Sequence, residues 1–150
     1  NLRDKIGMTG SWVPYLGLSV YRSDSRSMAR FGLLALNKGK WGNNQIVPES
    51  YMQNAITTSQ NLNLAYGYMW WLNGKSSFRL PQSQLQFNGT LIPSAPSDMY
   101  CALGKNDQKI YVVPSKKLVI IRMGDVADGV NFALSDFDET LWEKISAVIN

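Results

Sequence analysis

The stretch ALGKNDQKIYVVPSKKLVIIRMG, residues 102–124, decides the fold class. Residues 108–113 alternate in character and stop at Pro114, which has no N–H to give to a ladder. Ser115-Lys116-Lys117 turns the chain, and residues 118–123 return as a second apolar strand. With a short strand expected over 99–104, the three make an antiparallel meander. Ser135 then caps a helix over 135–149, with Asp138 at the capping-box distance. Phe137, Leu141, Ile145 and Val148 form its apolar stripe, which should lie on the meander. The fold class is therefore α+β, an antiparallel meander packed by a C-terminal helix.

Reading outward, residues 73–98 are rich in Ser, Gln, Asn, Gly and Pro and form a long, partly ordered excursion. Before them, YGYMWWL at 66–72 is a strand or an extended buried segment. A helix capped by Ser23 or Asp24 places Met28, Phe31, Leu34 and Ala35 on one face and ends at Gly39. Gly42-Asn43-Asn44 is a turn. Pro48 suits the first position of a second helix, which has Glu49 at its positive end and reaches about Ile56. Gly7, Gly10, Pro14 and Gly17 make the first twenty residues irregular. The whole is one unit: 1–65 mainly helical, 66–124 strands with the 73–98 excursion, 135–149 the last helix.

Composition removes several function classes. With 45% hydrophobic and 17% charged residues the 150-residue chain has a globular profile. The net charge is +4, but Lys and Arg are scattered and not gathered on one face, which argues against nucleic acid. No apolar run is long enough to span a membrane. The chain has no histidine, so a Ser-His-Asp or Cys-His site cannot be completed within it. One cysteine and no histidine leave no zinc site, and the reading calls for no cofactor or metal. Arg22, Arg26 and Arg30 read as a solvated helix edge, and Cys101 as a small buried hydrophobe.

A resemblance rests on five phrases in order: IGMTGSW at 6–12, SMARFGLLALNKGKW at 27–41, QIVPESYM at 45–52, YGYMWWL at 66–72 and ALGKNDQKIYVVPSKKLVIIRMG at 102–124. Together they resemble the C-terminal portion of the serine β-lactamase-related, penicillin-binding-protein-like family. That family includes class C β-lactamases, esterases and 6-aminohexanoate-oligomer hydrolases. The resemblance implies the C-terminal part of the β-lactamase/transpeptidase-like fold. It also implies cleavage of a small-molecule amide or ester through an acyl-enzyme, in a bacterial periplasm or cell envelope. An upstream Ser-x-x-Lys would give the nucleophile, and a Tyr-x-Asn-type motif a second proton-transfer group. No Ser here is followed three residues later by Lys, and no Tyr two later by Asn. The chain starts at Asn1. Both motifs are therefore expected upstream of it, and this stretch alone should be inactive.

The family's third element, Lys-Thr-Gly or His/Trp-x-Gly on a wall strand, maps onto Ala102-Leu103-Gly104. The Lys105 backbone N–H would then be one oxyanion-hole donor. Ala102 departs from the pattern, since the cation that holds a substrate carboxylate is missing, and this points away from β-lactams and peptidoglycan. On the residues alone, 104–107 is an ordinary turn. Trp70 and Trp71 point to opposite sides of a strand, so either one sits in the core and the other lines the cleft, or both are packed under loops. Phe78, Leu80, Leu85 and Phe87 are expected to shape the substrate pocket. A competing reading makes the chain a non-catalytic binding or structural module of the same fold. Either way the meander's unpaired edge should be covered by the upstream remainder of the protein or by a second copy.

Overall fold

The computed structural model describes residues 1–81, 83–127 and 134–149. The helices are α1 (Leu2–Lys5), α2 (Ser25–Leu36), α3 (Glu49–Ala55) and α4 (Asp136–Ile149). The first strands pair as hairpins, β1 (Ser11–Tyr15) with β2 (Leu18–Arg22) and β3 (Lys40–Trp41) with β4 (Asn44–Gln45). Then come β5 (Trp71–Leu72), the hairpin β6 (Ser77–Arg79) and β7 (Gln86–Asn88), β8 (Tyr100–Leu103), β9 (Lys109–Val113) and β10 (Leu118–Arg122).

The expected meander is present, as one antiparallel sheet in the order β10-β9-β8-β5. Pro114 ends β9 within a short 3-10 turn, and Lys117 takes the left-handed conformation (φ 49°) that reverses the chain into β10. Val113 then faces Leu118 and Lys109 faces Arg122.

Both faces of this sheet are covered. Tyr100, Ile110, Val112 and Leu72 pack with Ala35 of α2 and with Met52 and Ala55 of α3. Cys101, Tyr111, Val113 and Trp71 pack with Trp142 of α4. Every residue of β9 is accordingly buried. Helix α2 approaches closely through Gly32, where an added Cβ would lie 2.6 Å from Val119 Cγ1.

Asp24 is the N-cap of α2: one carboxylate oxygen accepts the Ser27 N–H at 2.8 Å, and the other accepts the Thr9 hydroxyl at 2.5 Å. The same cap therefore pins residue 9 to the start of α2. At α4, Asp138 accepts the Ser135 N–H at 3.0 Å, the reciprocal half of a capping box.

Four expectations are corrected. The first twenty residues are not irregular, because α1 and the β1–β2 hairpin occupy most of them. Gly17, at φ 78°, serves the two-residue hairpin turn and does not break structure. The segment 1–65 thus carries two hairpins beside its helices. Within 66–72 only Trp71 and Leu72 are strand. Met69 (φ 66°) makes a turn closed by the Gly67 N–H donating to the Trp70 carbonyl at 2.9 Å. Among its described residues the 73–98 excursion is tied down at Asn73 and at 90–95. Buried Asn73 accepts the Ile92 N–H at 2.9 Å and donates to the carbonyls of Ile92 and Ala95, which seats Leu91, Ile92 and Ala95 in the core. Finally, Val148 is 82% exposed; the buried stripe of α4 runs through Asp138, Leu141, Trp142, Ile145 and Ile149.

Candidate active-site wall

Strand β8 carries the proposed wall. Its inner edge pairs with β9, Ala102 opposite Ile110 and Leu103 opposite Lys109, and the Gly104 N–H donates to the Gln108 carbonyl at 2.8 Å. Its outer edge pairs with β5 only at Tyr100 and Cys101. Because the chain turns away at Met69, no described strand pairs with residues 102–104 on that side. Antiparallel alternation aims the Leu103 backbone, two residues beyond Cys101, at this open edge.

A cleft of about 700 Å³ opens beside it, bordered by Ala102, Leu103, Gly104, Gln108, Tyr21 and Tyr68 among others. The cleft is mostly apolar. Trp70 and Trp71 both border it, yet both are core residues, at 5% and 8% exposure. They do point to opposite sides. Trp70 stacks on Phe31 (ring centroids 6.0 Å apart), and Trp71 meets Tyr66 edge-on at 4.9 Å. With both faces of the sheet roofed, both rings are packed as well as bordering the cleft, and no division into one core ring and one cleft ring is seen. Cys101 is fully buried, and burial pushes its thiol pKa up, so it is no nucleophile.

Phe78, Leu80 and Phe87 do not border this cleft. They line a separate hollow of about 240 Å³ against Asp136 and Glu139 on the α4 side, while Leu85 is 70% exposed. The excursion crosses the sheet's other face, which is why these side chains miss the wall.

The turn joining β8 to β9 is held unusually firmly. Asn106 and Asp107 both have left-handed backbone (φ 56° and 57°). Gln108 clamps the turn, donating to the Asn106 carbonyl at 2.7 Å and to the Gly124 carbonyl at 2.6 Å. Arg122 donates to the Asn106 carbonyl at 3.1 Å. Lys105 reaches outward, its ammonium 3.1 Å from the Tyr15 hydroxyl at the β1–β2 turn.

Beneath the turn lies a group that the sequence reading missed. Lys109 Nζ is 3.2 Å from Asp107 Oδ1 and 3.0 Å from Asp138 Oδ2, with all three side chains sealed from solvent. Tyr111 donates to the other Asp138 oxygen at 2.5 Å, Ser135 donates to Asp107 at 3.3 Å, and the Ala127 N–H donates to Asp107 at 3.0 Å. Burial alone would raise the Asp107 pKa; the Ala127 N–H, Lys109 and Ser135 outweigh it and hold the carboxyl below its ordinary range. Burial, and then the Asp138 charge, push the Tyr111 phenol up. One sequence signal was available: a lysine within an apolar strand, with an aspartate at the N-terminus of the helix that covers it.

No group of His, Cys, Asp or Glu among the described residues could hold a metal, and no described helix is long and apolar enough to cross a membrane. No protein-family model and no curated protein matches the sequence. Among solved structures the chain is similar to "Putative 6-aminohexanoate-dimer hydrolase from Bacillus anthracis", with a TM-score of 0.55 and 22% identity over 85% of this chain. It spans only 29% of that protein's length. The likeness shows the fold alone, mixed helix and antiparallel sheet with one C-terminal helix.

Proposed function

We propose that this chain is the C-terminal portion of a β-lactamase-related serine hydrolase and supplies its oxyanion wall. The observation that carries the reading is the open edge of β8 at 102–104, set beside the apolar cleft and ended by a rigid turn. The nucleophilic serine of Ser-x-x-Lys and the tyrosine motif lie upstream in the same protein. A substrate carbonyl lies against the β8 edge, and the Lys105 N–H and the serine's own N–H stabilise the oxyanion as the serine adds to the carbonyl carbon. The leaving amine or alcohol departs with a proton, and water then releases the acyl group. Ala102 puts no cation on the wall, and the cleft is lined mostly by apolar and tyrosyl side chains. This favours an uncharged, largely aliphatic or aromatic acyl group over a β-lactam carboxylate.

The outer edge of β10 has no strand beside it among the described residues, although both its faces are apolar: Leu118 and Ile120 lean to α4, Val119 and Ile121 to α2. Such a strand belongs inside a sheet. The upstream remainder, or failing it a second copy, is proposed to cover it.

The test is native mass spectrometry of the full-length protein with a fluorophosphonate. Addition of one probe mass to a serine upstream of Asn1 supports the enzyme. An unlabelled protein supports the second reading, a binding module of the same fold, which the missing cation at Ala102 favours.

A further inference from the structure

A reversal between two antiparallel strands needs only a short turn, commonly with glycine where the backbone is left-handed. The turn at 104–108 is built differently. Two successive residues that carry a Cβ, Asn106 and Asp107, take left-handed backbone, which is disfavoured for L-residues, though least so for Asn and Asp. The second of them sends its carboxylate downward into a buried site and not out to water. There it meets Lys109 at 3.2 Å, the Ser135 hydroxyl at 3.3 Å and the Ala127 N–H at 3.0 Å. Lys109 is tied in turn to Asp138 at 3.0 Å, and Asp138 to the Ser135 N–H. The turn is thereby fastened to β9, to the segment after β10 and to the start of α4. Desolvating three charges is costly, and an apolar filling would serve stability as well or better. The arrangement instead fixes a direction, and a backbone in a disfavoured region persists only where its surroundings hold it there.

We infer that Asp107 is a positioning residue: clamped from below by Lys109, Ser135 and the Ala127 N–H, it holds the 104–108 turn so that the Lys105 N–H faces the open edge of β8. The inference rests on the hydrolase reading for its purpose, but its geometry can be tested apart from activity. Only Asn106 separates the residue that bears the carboxylate from the donor, so a turn that relaxes displaces the donor while leaving the sheet intact. Displacements of about 1 Å at a reacting centre cost on the order of 10²-fold in rate.

The experiment compares Asp107→Asn with Tyr111→Phe in the full-length protein. Asparagine tolerates the same left-handed backbone, so the first variant keeps the turn residue while it removes the clamp's charge and replaces one accepting oxygen with an NH2, which cannot accept from Lys109 and Ser135 or from the Ala127 N–H. The second removes the Tyr111–Asp138 bond, on the side of the network away from the turn. Two quantities are read: the rate of fluorophosphonate labelling, and exchange of the Gly104 amide, which closes the turn onto Gln108. Expected for Asp107→Asn are labelling slower by about 10²-fold and Gly104 exchange faster by about tenfold or more, with β9 and β10 amides unchanged. Tyr111→Phe should move neither, although it lowers the melting temperature. If Asp107→Asn does not fold, Ser135→Ala, which removes one tie, should give the same two changes in smaller measure. Unchanged Gly104 exchange in the folded variant overturns the inference, whatever the labelling does. Equal slowing by Tyr111→Phe also overturns it, since the effect would then follow stability. If the parent protein takes no label, the hydrolase reading fails; faster Gly104 exchange then still upholds the clamp, and unchanged exchange overturns it.

Discussion

The ammonium of Lys109 on β9 lies 3.0 Å from the carboxylate of Asp138 on α4, and neither side chain reaches water. This contact joins sheet to helix at the end of β9 nearest the wall, while Trp142 packs edge-on to Tyr111 at 5.4 Å one turn further along α4. Polar at one end and aromatic at the next turn, the α4 face can dock in one register.

Removing the lysine should therefore be severe. Lys109→Met keeps the stem but leaves Asp107 and Asp138 buried without their shared cation, and such uncompensated charge costs about 3–5 kcal/mol. Adding Asp107→Asn and Asp138→Asn to the same variant should recover part of the loss, because the orphaned charges are gone. Urea titration of the three proteins measures this, and a single-variant cost below about 1 kcal/mol would contradict a buried ion pair.

The cap of α2 predicts an acid-sensitive link between residue 9 and the helix. The Thr9 hydroxyl, followed by the Ser27 N–H and hydroxyl, lowers the Asp24 pKa from 3.8 to about 2. A depressed folded-state pKa means stability that is full above the unfolded value and disappears as pH falls through the folded one. Asp24→Asn keeps a competent cap without the charge. Thermal melts should show the parent ahead of the variant near neutral pH, the gap narrowing below about pH 4 and closing near about 2. A gap that stays constant across that range would mean the charge is not responsible.

How much of this was legible in the sequence follows from what each residue could signal locally. Pro114, the Ser115–Lys117 turn and the apolar return strand gave the meander, because strand period and turn chemistry are local properties. Asp24 was readable as a cap for the same reason. Lys109 was not. In a strand taken to alternate, a lysine is assigned to the solvent face; here α4 covers that face, and one of the lysine's two partners, Asp138, sits 29 positions later at the start of that helix. For Trp70 and Trp71 alternation gave the opposite directions, but it does not say that both faces are roofed and both rings packed. For Gly104, φ is −106° and an added Cβ would approach Gln108 Cβ at 3.1 Å, so the glycine fits a close approach and no left-handed bend requires it.

Because both tryptophans belong to the core, truncating either should cost stability first. Trp70→Ala removes the ring between Phe31 and Tyr100, and Trp71→Ala the ring against Tyr66. Each should destabilise by about 3–5 kcal/mol, the usual range for an emptied aromatic site. If one of them is instead nearly neutral in chemical denaturation, that ring contributes to the cleft and not to the packed core.

Gly32 sets two opposing effects against each other. In the interior of α2, replacing glycine by alanine gains about 1 kcal/mol in helix propensity. The new methyl, however, would lie 2.6 Å from Val119 Cγ1 and 3.1 Å from Ile110 Cγ2, both on β-branched side chains that cannot swing aside. Forcing a methyl into a packed interface costs about 1–3 kcal/mol, so Gly32→Ala should be net destabilising although it improves the helix. The double variant Gly32→Ala/Val119→Ala opens the space that the methyl needs. It should lose less than the sum of the two singles, by about 1 kcal/mol or more, as expected for residues in direct contact. Additive losses in urea denaturation would show that α2 can lift off the sheet at this point, and that close approach at Gly32 does not set the depth of the helix.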